Sequence, residues 1–416
     1  MEFVRLRRDE YDVFVNEHFS QYTQSREHYD YRAATGGVHL LGVKNETGKM
    51  MAACLLTEAQ ILKIYKYCYT HRGPVMDYRD KELVKFFFQN LTNYLKKPNC
   101  VFVLVDPFVL STLRNHNGEV LEEFDDSELF ITMKRLGYNH QGFTTGYSAQ
   151  SQVRFQSVLN VRNRSKEELL AAMDYTARRN IRMTDEMDVK VRNLAKDELG
   201  IFYELFHMAE DKHGFTFRDE AYFRSFQEMY KDNSMIKLAY INLDDYIENL
   251  TAGLQKYQDE VKKLNQNIAH HPNSKKQHNK LNDAEVNVTS TKKKIKEAGE
   301  LKEQHGSELN LAAAVFVYNR HEVIYLSSGS NPEFNRFMGS YRIQWEMIQF
   351  AVDHNIPRYN FYGISGDFSE KAEDRGVILF KKGFNGIVEE LVGDFIKPIK
   401  PIQYKVYQML NKRRNH

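Results

Sequence analysis

Between residues 245 and 307 an apolar residue recurs at alternating spacings of three and four: Ile247, Leu250, Leu254, Tyr257, Val261, Leu264 and Ile268. That spacing is a heptad seam, and it commits the stretch to a helix with one apolar edge. "HHPNSKKQ" breaks the seam, because Pro272 cannot sit inside a helix. A return arm resumes with Leu281, Ala284, Val288, Thr291, Ile295 and Ala298. With so short a turn the arms must run antiparallel, giving an antiparallel coiled-coil hairpin over 245–307. Its outer faces are rich in Lys, Asn and Gln, and "KKKIK" (292–296) reads either as a solvated face or as a contact for a polyanion. The hairpin is an insertion, since "MIKLAYINL" before it and "LNLAAAVFVYN" after it both read as strands that belong together.

Taking the hairpin out exposes an internal repeat. The first half runs through "VHLLGVKN", "KMMAACLL", the helix "ELVKFFFQNLTNYLKK", the strand "CVFVLVDPF" and a late "MKRLGYNHQGF". The second runs through "IKLAYINL", "LAAAVFVYN", "EVIYLSSGS", the helix "RIQWEMIQFAVDH", the strand "RYNFYGISGDF" and a closing "LFKKGFNG". Each half is antiparallel strands, a helix, a strand, then a helix ending in a G-[YF]-N turn. The expectation is an α/β (α+β) chain of two related domains, 1–150 and 151–244 with 308–396, followed by a basic segment, 397–416.

That order of elements resembles the Gcn5-related N-acetyltransferase fold. In that fold a [QR]-x-x-G-x-[GA] turn before a helix holds the coenzyme A diphosphate on backbone N–H groups. Here the place reads "RFMGSY": Arg336 and Gly339 fit, but Tyr341 stands where a tiny residue is required. The first-half counterpart, "HRGPVMD", does not match the turn at all. The architecture is that of an acyltransferase; acetyl-CoA is a poor donor for it.

Composition narrows the setting. At 416 residues the chain is too long for one ordinary core, and a net charge of +2 makes any polyanion site a local patch. Cys54, Cys68 and Cys100 lie outside metal or disulfide spacings, which suits a reducing cytosol, and no metal is expected. The N-terminus has no apolar signal core and no run has the length of a membrane span, so a cytoplasmic protein is expected. The tail "KPIKPIQYKVYQMLNKRRNH" is basic and amphipathic, either an ordinary terminal helix or a peripheral contact for an anionic membrane.

Nine short motifs in order resemble the FemA/FemB/FemX aminoacyltransferases of peptidoglycan synthesis: "YTQS", "HRGPVMD", "VDP", "RRN", "HGFTFRDEAYF", "SSGS", "QWEMI", "YNFYG" and "FKKGFN". The hairpin puts the chain nearer the FemA and FemB branch. The resemblance implies transfer of glycine or serine from its aminoacyl-tRNA to an amine on the lipid-linked peptidoglycan precursor, building the interpeptide bridge. It implies no cofactor beyond the tRNA-borne donor, and it allows a homo- or hetero-dimer with related family members. Two other classes stay in view: a coenzyme A-dependent N-acyltransferase, and a non-catalytic coiled-coil scaffold of the same fold.

The candidate residues each have an ordinary reading beside the functional one. Asp106 ends the strand "CVFVLVDP" and reads as a turn former; the resemblance puts it at the acceptor amine. Arg32 is an unremarkable surface cation that the resemblance assigns to precursor phosphate. Arg218 and Tyr222 are spaced i, i+4 if Asp219 opens a helix, and Tyr222 reads equally as core. By resemblance both hold the diphosphate and sugar of the precursor, and Tyr325 occupies a further acceptor-side position. Arg178, Arg179 and Arg182, on a helix expected to open at the capping box Ser165–Glu168, are either a phosphate grip or a solvated face. Finally, "LFKKGFN" carries Phe380 and Lys381 where the first copy has Met133 and Lys134. The resemblance gives Lys381 the tRNA acceptor end and the developing negative charge, with Phe380 beside it, and leaves Lys382 as a surface charge.

Overall fold

The computed structural model describes residues 1–62, 64–96, 99–148, 150–213 and 219–414. The first half begins with β1 (Glu2–Arg5), α1 (Arg8–Glu17) and α2 (Arg26–Thr35), followed by β2 (Val38–Lys44), β3 (Met50–Ile61), β4 (Tyr65–Tyr69) and β5 (Val75–Met76). Helix α3 (Lys81–Leu95) leads to β6 (Cys100–Val105), the hairpin β7 (Leu110–Arg114) and β8 (Val120–Glu123), α4 (Ser127–Arg135) and β9 (Asn139–His140). Asp80 caps α3 by accepting the Leu83 amide at 3.0 Å. Leu83, Val84, Phe87, Phe88, Leu91 and Leu95 form its buried stripe. Each buried phenylalanine contributes about 2–3 kcal/mol, so this stripe anchors the first core.

The second half opens with β10 (Phe155–Asn160), α5 (Lys166–Ala172), α6 (Tyr175–Glu186), β11 (Lys190–Asn193), α7 (Leu199–His213), α8 (Glu220–Tyr230) and β12 (Ser234–Asn242). The long helices α9 (Leu243–His270) and α10 (Lys275–His305) interrupt it. It resumes with β13 (Glu308–Tyr318), β14 (Val323–Ser330), α11 (Gly339–Asp353), β15 (Arg358–Ile364), α12 (Arg375–Lys382) and β16 (Ile387–Leu391). β17 (Phe395–Pro398) and α13 (Pro401–Arg414) close the chain.

The helices α9 and α10 pack side by side around Leu264, Ala284, Thr291 and Ala298. Every seam position read from the sequence is buried or half-buried. β12 and β13, on either side of the hairpin, pair antiparallel from Ser234↔Val317 to Asn242↔Glu308, which is what an insertion between neighbouring strands requires.

Two sheets result, ordered β1-β2-β3-β4-β6-β17-β9, with β5 on β3, and β11-β12-β13-β14-β15-β10-β16-β7-β8. Each holds one parallel pair flanking the central helix, β4 with β6 around α3 and β14 with β15 around α11. The β14–β15 pair is joined only at Val323↔Tyr359 and Ile324↔Asn360, beyond which the strands splay. The division at residue 150 is crossed twice. The hairpin β7–β8 joins the second sheet against β16, and β17 joins the first sheet between β6 and β9. The two halves are therefore interlocked, and residues of one are built into the other's sheet.

One local expectation is corrected. The capping box Ser165–Glu168 opens the short helix α5, and the "RRNIR" run lies on the next helix, α6, capped by Asp174 through the Ala177 amide at 2.7 Å. Met173, extended at the end of α5, separates the two.

Candidate active site

Strand β15 is irregular where it matters. Gln156 pairs with Gly363 and Val158 with Asn360, so the single residue Ser157 of β10 faces two residues of β15, Phe361 and Tyr362. Such a bulge re-aims side chains and carbonyls. Tyr362 takes φ +64°, a left-handed conformation that an aromatic residue adopts only under constraint. Into this bulge reaches Lys381 from α12. It is 3% exposed, and its ammonium donates to the Gly363 carbonyl at 2.7 Å and the Tyr362 carbonyl at 3.3 Å. Among the described residues no carboxylate lies within ion-pair distance of it. Burial pulls its ionisation down to about 7, opposed by the nearby Asp374 carboxylate. Asp374 is itself engaged, accepting the Ser365 amide at 2.7 Å, the Ser365 hydroxyl at 2.5 Å and the Tyr147 hydroxyl at 2.9 Å. The acidic segment between β15 and α12 is thus pinned at both ends. Lys382 points away, exposed, and donates to Asn117 Oδ1 on the β7–β8 turn at 2.8 Å.

Asp106, at the end of β6, is fully buried. Its Oδ2 accepts the Tyr69 hydroxyl at 2.8 Å and its Oδ1 accepts the Arg72 amide at 2.6 Å. The buried Arg72 guanidinium stands 3.7 Å from Oδ2 and donates to the Val153 carbonyl. Burial, opposed by Arg72, pushes the Asp106 carboxyl up to about 6. The residues it holds are strained: His71 and Arg72 have φ +37° and +60°. Asp106 therefore does more than form a turn. It fixes a bent strand exit and aims the Tyr69 phenol.

Tyr362 joins the two centres. Its carbonyl serves Lys381, while its hydroxyl donates to Gln152 Oε1 at 2.5 Å; the Gln152 amide in turn donates to the Tyr69 hydroxyl at 3.1 Å, and so leads to Asp106. Both Arg72 and Asp106 lie close enough to influence its ionisation. From Tyr22 a wall of rings runs on through His28 (6.1 Å), His71 (5.9 Å from His28) and Tyr69 (3.7 Å from His71), back to Asp106. Tyr230 bonds His28 Nδ1 through its hydroxyl at 2.7 Å. Arg32, on α2, and Tyr222, on α8, both act electrostatically on Tyr230, which places them together on this wall. Arg32 and burial also keep His28 neutral, down to about 3, with burial the larger cause.

The remaining candidates lie elsewhere. Asp219 does open α8, accepting the Tyr222 amide at 2.9 Å, while Arg218 falls outside the described residues. Tyr325 bonds Ser328 and packs on Phe316, on the opposite face of the second sheet from Tyr222 and Tyr362. Phe380 turns its ring to Tyr341 (4.9 Å) and Phe384 (5.3 Å), bracing α12 rather than lining the Lys381 side. Tyr341, in the first turn of α11, is half-buried in that aromatic group, with its ring on Phe380 and Phe384. Arg178, Arg179 and Arg182 are exposed on α6; Arg178 donates to the Ala171 carbonyl and Arg182 pairs with Glu186 at 3.4 Å.

Sequence reasoning did not single out Tyr69, Arg72, Tyr362 or His116. His116, from the β7–β8 turn, is buried and bonds the Ser157 hydroxyl at 2.8 Å, directly opposite the bulge. Burial, with Lys381 and Lys382 close by, pulls it down to about 4. "HRGPVMD" contained a clue to Arg72, a cation beside an obligatory turn. Tyr362 stood undistinguished inside "YNFYG" and His116 left no clue, because a bulge and a hairpin exchanged between sheets do not alter local periodicity.

Comparison with known proteins agrees with this architecture over its whole length. A family model described as "FemAB family" matches residues 6–412. The chain is 41% identical over 414 residues to "Aminoacyltransferase FemA" of Staphylococcus epidermidis, covering 99% of each, and 39% identical to that of Staphylococcus aureus over the same share. Among solved structures, "Crystal structure of FemX" superposes with a TM-score of 0.82 at 23% identity, covering 98% of this chain and 99% of the other.

Proposed function

The chain belongs to the FemAB family, and we propose on that premise that it is an aminoacyltransferase of peptidoglycan bridge synthesis. In this reading it takes glycine or serine from aminoacyl-tRNA and attaches it to the side-chain amine of the lipid-linked precursor. It works in the cytoplasm, at the inner face of the plasma membrane where that acceptor resides. The observation that carries the reading is the buried Lys381 ammonium, held by two carbonyls of a strained bulge and linked through Tyr362, Gln152 and Tyr69 to Asp106.

The chemistry needs little covalent help, because the aminoacyl ester is already activated. The acceptor nitrogen attacks the ester carbonyl, a C–N bond forms, the C–O bond to the ribose breaks, and the amine proton leaves as the ribose oxygen gains one. Negative charge develops on the carbonyl oxygen as the amine adds, and on the ribose oxygen as the C–O bond breaks, beside the standing charge of tRNA phosphate. Lys381 is suited to meet it. Burial loosens its hold on the proton, and an arriving anion supplies an ion-pair partner, so the ammonium form strengthens as the oxyanion develops.

Asp106 has both oxygens engaged and no exposure, so it acts on the acceptor through Tyr69 and the Arg72 turn it positions. Arg32 and Tyr222 sit where the precursor's phosphate and sugar would meet the ring wall. Phe380 sets the orientation of α12 and so the aim of Lys381. A coenzyme A donor is disfavoured by Tyr341, which occupies the helix end that its diphosphate would approach.

The test is transfer of labelled glycine or serine from its tRNA to purified lipid-linked precursor. The reading expects label in the precursor and its loss on RNase treatment; acetyl-CoA-dependent transfer in place of it would refute the proposal.

A further inference from the structure

Helix α13 has two apolar faces, and the fold uses one. Tyr404 and Tyr407 turn inward onto Phe102 of β6, at 5.1 and 5.2 Å between ring centres. On the opposite side Ile402 (76% exposed), Val406, Met409 (65% exposed) and Leu410 face solvent. Their spacing of four, three and one places them along one stripe of the helix. A second element extends the stripe. The tip between β3 and β4 exposes Ile64, whose carbonyl accepts Asn99 Nδ2 at 2.9 Å; Asn99 Oδ1 in turn accepts the Lys400 ammonium at 2.7 Å, just before α13. Two separate chain segments thus present bare aliphatic side chains on the same side of the first sheet.

Charge says what covers them. Residues 397–416 contain Lys397, Lys400, Lys405, Lys412, Arg413 and Arg414 and no Asp or Glu. A second copy of this face would bring the same cations against them, and one short helical stripe falls well below the roughly 800 Å² per partner of a stable interface. Protruding aliphatic groups on a segment this basic match the boundary of an anionic bilayer, where the apolar side chains enter the acyl region and cations meet headgroup phosphates. No described helix is long and apolar enough to cross a membrane, so the contact is interfacial.

We propose that the outer face of α13, with the Ile64 tip, docks the protein on an anionic phospholipid surface. The face lies next to the acceptor wall. Tyr67 stacks on Phe102 at 5.1 Å and is influenced by both Tyr407 of α13 and Arg32 of α2. A bilayer touching α13 therefore lies on the side of the first sheet that Tyr67 and Arg32 share. That alignment rests on the functional reading above; the lipid contact itself stands on exposure and charge.

The experiment uses the full chain and vesicles of phosphatidylcholine, with and without phosphatidylglycerol, read by co-sedimentation. Wild type should bind only the anionic vesicles, and more weakly as salt rises. Ile402→Asp with Met409→Asp should weaken binding by roughly tenfold or more, and Lys405→Glu by roughly fivefold. The doubly substituted protein should keep its fold and its transfer rate to a soluble precursor fragment lacking the lipid tail. Binding by the variant equal to wild type overturns the proposal, as does a wild type indifferent to anionic vesicles. A wild-type dimer that the variant dissolves also overturns it, by giving the face to a second copy. Normal vesicle binding without transfer to any acceptor would instead sink the functional reading and leave the lipid surface standing.

Discussion

The two halves of the molecule carry the same helix before the same G-[YF]-N turn, and they bury different positions of it. Counted back from the turn glycines, Gly137 and Gly383, α4 has Lys134 and Arg135 where α12 has Phe380 and Lys381, not Met133 and Lys134, and both are exposed; its buried Met133 stands opposite Leu379. In α12 the pair Phe380–Lys381 leaves the phenylalanine half-buried and puts the lysine inside, 3% exposed. Folding alone has no use for a buried ammonium at that place, since without an ion-pair partner it costs stability, and the first half keeps its cation there, Arg135, in solvent. The first half shows how the same frame is built when only packing is asked of it. The second shows one position given over to chemistry. Asp106 makes the same point from the other side: it too is a buried charge, but it is held by Tyr69, Arg72 and a bent strand exit, so it is part of the frame as well as of the site.

If this contrast is right, the largest effect belongs to Lys381. Lys381→Ala should lower transfer by about 100-fold or more with the fold intact by circular dichroism. Lys382→Ala, which loses only an exposed bond to Asn117, should change it by less than about threefold. Equal losses in both would erase the distinction between the inner and outer lysine.

Next comes stability, where the two buried charges should behave oppositely. Asp106→Ala strands the buried Arg72 guanidinium and should cost on the order of 3 kcal/mol in urea unfolding. Lys381→Met removes an uncompensated charge and should unfold no more easily than wild type at neutral pH. A destabilised Lys381→Met would mean the lysine is structural.

The pH dependence sharpens this further. Lys381 titrates near 7 when folded and near 10.5 when unfolded. Between these values the unfolded chain holds a proton the folded one has released, so unfolding free energy should rise with pH in wild type relative to Lys381→Met. The slope should approach about 1.4 kcal/mol per pH unit and vanish above pH 10.5. A flat difference across that window would show that Lys381 titrates as an ordinary lysine.

The smallest effect should come from the link between the centres. Tyr362→Phe keeps the ring and the bulge but loses the hydroxyl bonded to Gln152, worth about 1 kcal/mol, or roughly fivefold in transfer. An unchanged rate would reduce Tyr362 to the carbonyl it offers Lys381.

Much of the frame was legible in the sequence because it is written in local periodicity. The heptad seam, the stripe of α3 and the strands on either side of the hairpin all follow from spacing, and each lies where spacing put it. The exchange of β7–β8 and β17 between sheets was not legible, since pairing between distant strands leaves no mark on either strand alone. The same holds within the site. Lys381 and Asp106 were named through resemblance, and the burial that distinguishes Lys381 from Lys382 needed coordinates. Tyr362 acts through a bulge and a backbone carbonyl, and His116 through a hairpin built into the other half's sheet. Neither signal exists in one dimension.

The central claim is that Lys381 and Asp106, one from each half, belong to a single reaction site. A double-mutant cycle on single-turnover transfer, with Lys381→Met, Asp106→Ala and the double variant, tests it most directly. A shared site predicts that the double variant is little slower than the slower single variant, because groups that act as a unit are lost together. Losses that multiply through to the double variant would show two independent sites and contradict the account.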